Sequence, residues 1–275
     1  KHYWGSREIA IGPVVNEAIK TYATEDSARF FDISGNSLRL KTKRPVIDKT
    51  LEIAKGYTLR IDKDTELNFE NNGCLMVYGS LEVADNTRLK LTGDSWSGVH
   101  FVDNQDQDLA NIEINNIGDG AYGVSCGWRQ FSGGLSFFNT KVNIVNLKVN
   151  DSNIEDAMHG LNSEITMQDS EIITCQSDAI DTDFSNVEFD NIKLANSMGD
   201  GLDVSGSLVL IKDSQSTNQT DKGLSIGENS NVYVYNSIFS SKAYCIAVKD
   251  SSRLYLDDAT KLLDCQTKVG EYIKK

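Results

Sequence analysis

The feature that most constrains this chain is a repeat. Five segments, 155–160, 177–183, 199–205, 221–228 and 244–250, align on Ala157, Ala179, Gly201, Gly223 and Cys245 with a step of 22 residues each time. A self-similar period between about 20 and 50 residues marks a solenoid or an array. Each unit holds a short alternating run of β-branched and aromatic residues, a polar turn of Asn, Asp, Ser or Gly, and a second short run. None holds a stretch of helical periodicity. No Leu-x-x-Leu-x-Leu frame occurs, and the period is about half the ~40 residues of a propeller blade, so leucine-rich repeats and propellers are excluded. A parallel β-helix remains.

The same step appears outside these five segments. Leu59, Ile61, Thr65, Leu67 and Phe69 lie 22 residues before Leu81, Val83, Thr87, Leu89 and Leu91, and Leu135, Phe137, Val142 and Ile144 lie 23 before Met158, Gly160, Ile165 and Met167. A polar ladder runs through Asn146, Asp169, Asn191, Asp213, Asn236 and Asp258. Stacked Asx side chains at a turn bond one another and free backbone groups, so this ladder reads as structural. Gly73, after Asn71 and Asn72, suits a turn that needs positive φ.

Residues 46–275 leave room for about ten coils of ~22 residues, a rod of about 50 Å at ~4.8 Å per coil. Residues 1–45 form the other expected unit. Within 7–31, Ile9, Val14, Val15, Ala18, Ile19, Tyr22 and Ala23 recur at helical spacing, and an amphipathic helix there reads as a cap on the first coil or as the remnant of a preceding domain. The chain starts at Lys1 with no signal-like segment, which reads as a mature form or a fragment of a secreted or cell-surface protein, with an upstream domain of the same polypeptide as a candidate partner.

Forty acidic residues against 27 basic ones give a formal charge of −13, which repels nucleic acid and anionic lipid and would repel a polyuronate unless a cation intervened. No run of 18 apolar residues is present, so no membrane insertion is expected. The five cysteines, Cys74, Cys126, Cys175, Cys245 and Cys265, show no Cys-x-x-Cys spacing; they read as buried free thiols, at least one of them necessarily unpaired within the monomer.

Alternation fixes the outward side chains of the repeat. If Ile180, Thr182, Leu202, Val204, Leu224, Ile226, Ile246 and Val248 point inward, then Asp181, Asp183, Asp203, Ser205, Ser225 and Lys249 face solvent. One outward row then reads His159, Asp181, Asp203, Ser225, Ala247, and its neighbour reads Leu161, Asp183, Ser205, Gly227, Lys249. Carboxylates stacked at strand spacing repel, which leaves three readings: a catalytic set of Asp181, Asp203, His159 and Asp183, a cation such as Ca²⁺ held by Asp181, Asp183 and Asp203, or a solvated acidic strip. A third row, Asp156, Asp178, Asp200, Lys222, Tyr244, sits at the strand entrance, where Lys222 looks like a built-in counter-ion. Residues 118–134 break the period. In that insertion Trp128, Arg129 and Tyr122, with Lys249 on the face, are candidates to stack on sugar rings or clamp a charged group, unless the loop folds back with its aromatics buried.

The signatures Glu155-Asp156-Ala157, Asp178-Ala-Ile-Asp-Thr-Asp183, Gly199-Asp-Gly-Leu-Asp-Val-Ser-Gly-Ser207, Asp221-Lys-Gly-Leu-Ser-Ile-Gly-Glu228 and Lys249-Asp250 resemble a group of uncharacterised bacterial right-handed parallel β-helix proteins within the pectate-lyase-like superfamily. The resemblance implies an all-β, right-handed parallel β-helix and work on, or attachment to, extracellular polysaccharide. The fold, the acidic strip and the aromatic insertion together motivate a hydrolase, lyase or epimerase acting along an acidic groove; the alternative is a non-catalytic glycan-binding, adhesive or structural rod. The Asn-Thr-Asp, Gly-His-Gly and Arg-Ile-Lys motifs of polygalacturonases are absent, and no arginine lies between Phe131 and Ser252 to serve an arginine-based lyase.

Overall fold

The structure is a computed structural model that describes residues 29–104, 106–120 and 123–272. The helix expected over residues 7–31 lies outside the described residues, except at its end. There Arg29 and Phe30 form a turn and Phe31 opens a strand, Phe31–Ser34, which pairs antiparallel with Ser37–Leu40. This hairpin joins the parallel strands Thr58–Ile61 and Ser80–Val83 and buries Phe30, Phe31 and Leu38.

Beyond it the chain is the expected solenoid. Every further strand pairing among the described residues is parallel except that of a short hairpin, Val124–Cys126 with Arg129–Phe131. One face is a ten-stranded sheet running from Thr50–Ile53 through Cys74–Val77, Val99–Val102, Gly133–Phe138, Asp156–Leu161, Asp178–Asp183, Leu202–Ser205, Lys222–Gly227 and Tyr244–Lys249 to Thr267–Tyr272. Apart from the four-stranded sheet of the Phe31–Leu40 hairpin, the other faces belong to one larger sheet whose two limbs are joined by the long strands Gln107–Ile117 and Lys141–Ser152, each bent at asparagine or aspartate residues of positive φ: Asn111 and Asn116 in the first, Asn146 and Asp151 in the second. Asx residues tolerate that conformation because their short polar side chains bond locally. A single αL residue therefore turns a coil through a corner without a loop.

Period-2 alternation places the core as expected. Ile180, Thr182, Leu202, Val204, Leu224, Ile226 and Ile246 are all essentially inaccessible. They join one column of stacked aliphatic and aromatic residues that includes Phe101 over Phe137 and Trp96 over Phe69. Stacking like on like at strand spacing gives each apolar side chain two like-sized neighbours and lets the core extend with the rod.

The corners carry the polar columns. In the predicted Asx ladder Asn191 donates to Asp169 at 2.6 Å, and Asn236 donates to Asp213, all four at positive φ. The ladder's end differs from expectation: the Asn236 amide N–H goes to the carboxylate of Asp257, not to Asp258. Gly73 also differs. Its turn takes positive φ at Asn71 and Asn72, and glycine is required at 73 because a Cβ would lie 2.6 Å from the Ile47 carbonyl oxygen. Two buried serine columns escaped the sequence analysis. Ser163, Ser185, Ser207, Ser230 and Ser252 each present an Oγ to a backbone N–H of the preceding coil, starting from Thr140, and Ser170, Ser214 and Ser237 act alike at another corner. Buried N–H groups need such partners.

The cysteines depart most from expectation. Cys74 is bonded to Cys126 and Cys245 to Cys265, and only Cys175 is a buried free thiol. The 52 residues between the first pair hide their proximity, since the insertion at 118–134 folds back over the rod instead of continuing it.

Candidate functional site

The outer face of the ten-stranded sheet gathers the candidate residues. Register pairs His159 with Asp181, Asp181 with Asp203, and Asp203 with Ser225, so these side chains occupy one position on four successive strands. Leu161, Asp183, Ser205 and Gly227 form the neighbouring row. Asp181, Asp183 and Asp203 are half-buried and share the outward parity expected of them. Ser225 has that parity too, yet it is fully buried and its Oγ lacks a hydrogen-bond partner.

The strand-entrance row is a structural ladder with charge in it. Asp178 Oδ1 accepts the Asp200 amide N–H at 2.7 Å, and Asp200 Oδ1 accepts the Lys222 amide N–H at 2.9 Å. Lys222 Nζ reaches both Asp200 oxygens at 3.2 Å and also bonds Asp221. Burial works against the Lys222 charge, but its bonds to Asp221 and Asp200 raise the ammonium's pKa above the usual lysine range. Lys222 is thus the counter-ion of this row and is not poised as a base.

Burial beside like charges pushes these carboxyls upward. Asp156 and Asp200 are each pushed up to about 7, chiefly by burial, with His159 opposing the rise at Asp156 and Lys222 opposing it at Asp200. Asp178 moves in the same direction for the same cause. Asp181 is moved furthest, to about 9, by burial and then by the charges of Asp156, Asp183, Asp203 and Asp178. Of these carboxyls Asp181 is the one held in its neutral form well above pH 7.

His159, 8% exposed, is gripped from both sides: Nδ1 lies 2.8 Å from Ser132 Oγ and Nε2 lies 3.3 Å from Asp183 Oδ2. The Ser132 hydroxyl and the Asp183 carboxyl thus occupy both ring nitrogens. Gly133 follows Ser132 because any Cβ there would lie 2.6 Å from His159 Cβ. Asp203 Oδ1 accepts the Val204 N–H at 2.9 Å and lies 4.0 Å from Lys249 Nζ. Ser132 had no periodic signal to reveal it, since it ends the insertion.

Two groups of donors could hold a cation. His159, Asp181 and Asp183 offer ligand atoms within 4.8 Å of one another, as do Asp178, Asp200 and Asp203. The sequence grouped Asp203 with Asp181 and Asp183; the structure brings it instead to the strand-entrance carboxylates. The first set mixes imidazole with carboxylate, which suits a transition metal, while the second is all oxygen, which suits Ca²⁺.

The hairpin of the insertion lies over the N-terminal part of the same face. The Cys74–Cys126 disulfide anchors it, the Gly127 amide donates to Thr50 Oγ1 at 3.0 Å, and the Phe131 ring stacks on His100 at 3.7 Å. The loop folds back with Phe131 buried, whereas Trp128 at the tip is 79% exposed. Arg129 lies beside it, its guanidinium 4.6 Å from the Trp128 ring. Tyr122 lies outside the described residues. Trp128 and Arg129 sit near Tyr78, four strands or ~19 Å from Asp181, so the structure keeps them apart from the acidic rows and brings only Lys249 to them.

A family model described as "Right handed beta helix region" matches residues 157–261, the coils that carry the acidic rows. No curated protein matches the chain. Among solved structures, the chain is similar to a double mutant of the periplasmic alginate epimerase AlgG, at 10% identity over 89% of this chain and 80% of that one, with a TM-score of 0.42. It is also similar to tailspike protein 3 of bacteriophage CBA120, at 10% identity over 96% of this chain and 60% of that one, with a TM-score of 0.28. The molecule is a right-handed parallel β-helix.

Proposed function

We propose that the protein acts on an extracellular polysaccharide laid along the outer face of the ten-stranded sheet, by acid–base chemistry centred on Asp181. The observation that carries this reading is a carboxyl kept protonated to about pH 9 on an open sheet face, one strand away from a second carboxyl, Asp203. A neutral acid beside a carboxylate is the division of labour needed to break a glycosidic bond. Asp181 gives its proton to the leaving oxygen as that C–O bond breaks, and Asp203, whose Oδ1 accepts the Val204 N–H with Lys249 nearby, bonds the anomeric carbon as nucleophile until a water, giving its proton back to Asp181, releases the sugar. His159 and Asp183 form a hydrogen-bonded pair beside the acid. Their role is positioning, since Ser132 and Asp183 occupy both ring nitrogens.

A second observation supports placement outside the reducing cytoplasm: two disulfides tie the described residues, and disulfides persist in oxidising compartments. The test is incubation with neutral, uronate and amino-sugar polysaccharides, with and without calcium, reading new reducing ends and the ultraviolet absorbance of unsaturated products. Reducing ends without absorbance are expected, with rate lost at least about a hundredfold in Asp181→Asn and falling as pH rises through about 9. Absorbing products would replace hydrolysis with elimination on the same residues. No product from any polysaccharide would overturn the reading and leave the acidic rows as part of a non-catalytic rod.

A further inference from the structure

Cleavage of a glycosidic bond leaves Ser132 without a task, yet it heads a chain of contacts with a chemistry of its own. Its Oγ lies 2.8 Å from His159 Nδ1, and His159 Nε2 lies 3.3 Å from Asp183 Oδ2. Hydroxyl, imidazole and carboxyl in that order are what make a serine a nucleophile. They come from the end of the insertion and from the strands Asp156–Leu161 and Asp178–Asp183, and they meet only in the folded protein. Ser132 is half-buried and the Asp183 side chain is 31% exposed, so both ends of this series reach solvent while the ring between them is enclosed.

The surroundings fit a small acyl group. The Phe138 ring stands edge-on to His159 at 5.5 Å and edge-on to Phe131 at 5.3 Å, an apolar wall beside the serine on which a short acyl chain can lie. The buried Asp156 carboxyl also bonds Ser132, which keeps the hydroxyl from turning away to solvent. The ring nitrogens are exchanged relative to serine proteases, in which Nε2 faces the serine, but imidazole transfers a proton at either nitrogen. The reacting tautomer carries its hydrogen on Nε2, where an Asp183 carboxylate, an acceptor only, favours it, and turns the Nδ1 lone pair to Ser132.

We propose that Ser132, His159 and Asp183 form a second reactive centre that hydrolyses esters of short acyl groups, such as O-acetyl groups on the sugars of a bound chain. The acyl chemistry stands on these three residues; the sugar as carrier of the ester rests on the reading of this face as a polysaccharide track. Ser132 Oγ bonds the ester carbonyl carbon while its proton passes to His159 Nδ1, and the carbonyl oxygen takes up the electron pair. The adduct then breaks its bond to the sugar oxygen, which leaves with the proton from Nδ1. Water adds to the acyl-serine in the same way, its proton passing through Nδ1 back to Ser132 Oγ, and the free acid departs. Ester and water have become alcohol and acid. Asp183 takes no proton and is a positioning residue, holding the ring and offsetting its charge. Asp181, the neutral carboxyl within 4.8 Å of the His159 and Asp183 ligand atoms, is a donor beside the ring for the oxygen that turns negative.

The experiment gives the full chain 4-nitrophenyl acetate, then O-acetylated polysaccharides, and reads nitrophenolate, free acetate and reducing ends separately. Nitrophenolate and acetate should both appear. Ser132→Ala should lower the ester rate at least about a hundredfold. Asp183→Asn should lower kcat at least about tenfold with KM unchanged, which a merely structural role would not do. Peptide mass spectrometry after diisopropyl fluorophosphate should find one adduct, on Ser132, a readout that needs no variant to fold. An adduct on another residue, an ester rate undiminished in the Ser132→Ala protein, or no nitrophenolate above the rate in buffer would each overturn the centre. Nitrophenolate without acetate from any polysaccharide overturns the sugar as carrier. Acetate without reducing ends leaves the ester chemistry standing and sinks the proposed glycosidic cleavage, and reducing ends with neither nitrophenolate nor acetate do the reverse.

Discussion

Asp181 is a residue whose chemistry follows from its neighbours more than from itself. A fixed 22-residue step and strand parity are enough to place it beside His159 and Asp203, and both are legible in the sequence because a β-helix turns sequence distance into rung position. Its burial is not legible, nor is that of Ser225, because alternation reports direction and says nothing of what covers an outward side chain. Burial is what sets the pH behaviour. A carboxyl raised from 3.8 to about 9 keeps, in the folded protein, a proton that the unfolded chain releases, so its contribution to stability is full at low pH and is lost as pH rises from about 4 through 9. Asp156 and Asp200, raised to about 7, act with the same sign over a lower window. The Asp181→Asn protein should therefore match the wild type in melting temperature near pH 3 and exceed it increasingly as pH rises to 9, by about 2–4 °C for each kcal/mol of strain removed. Calorimetry across that range decides the matter; a variant that melts lower at pH 9 would mean that the carboxylate bonds the coils together.

At the scale of elements, the hairpin at Val124–Phe131 separates what periodicity can read from what it cannot. The break at 118–134 was visible as a loss of the step, and an insertion at a coil's turn was the right reading of it. Its destination was invisible, since Cys74 and Cys126, 52 residues apart, share no rung of the repeat. The second disulfide is closer to legible: Cys245 and Cys265 are 20 residues apart, nearly one coil, so the fold itself makes them neighbours. The Cys74–Cys126 link closes a loop whose chain entropy alone is worth on the order of 4 kcal/mol, and it bonds the hairpin to the rod where Phe131 covers His100. His100, wholly buried, is held down to about 3 by that burial and stays neutral under the hairpin. Replacing both cysteines by serine should lower the melting temperature and open Val124–Phe131 to limited proteolysis while the coils from 157 to 250 stay protected. Equal cleavage of wild type and variant would show that Phe131 and Ser132 hold the hairpin without the disulfide.

The molecule as a whole is a one-dimensional stack, and its stability should be read along its axis. Each coil touches only its neighbours, so interior coils are supported on both sides and terminal ones on one. The two ends differ. At the start of the described residues, the antiparallel hairpin Phe31–Leu40 covers apolar side chains, while in the last described coil, Arg253–Tyr272, inward or edge residues stay open: Leu256 is 37% exposed, Leu263 45% and Val269 41%. The longer serine column adds a second gradient, since it supplies acceptors to backbone amides from Thr140 to Ser230 and ends at Ser252. Both gradients point the same way. Amide hydrogen exchange should be slowest in the coils around Ile180, Val204 and Ile226 and fastest in residues 253–272, with protection falling stepwise by coil. Because the acidic rows sit in the most protected coils, opening of the C-terminal coil should leave the Asp181–Asp203 register intact, and gentle denaturant should abolish protection at Val269 before it alters the pH dependence assigned to Asp181. Uniform protection from Leu51 to Tyr272, lost in a single step, would contradict nearest-neighbour stability and show the rod to unfold as one unit.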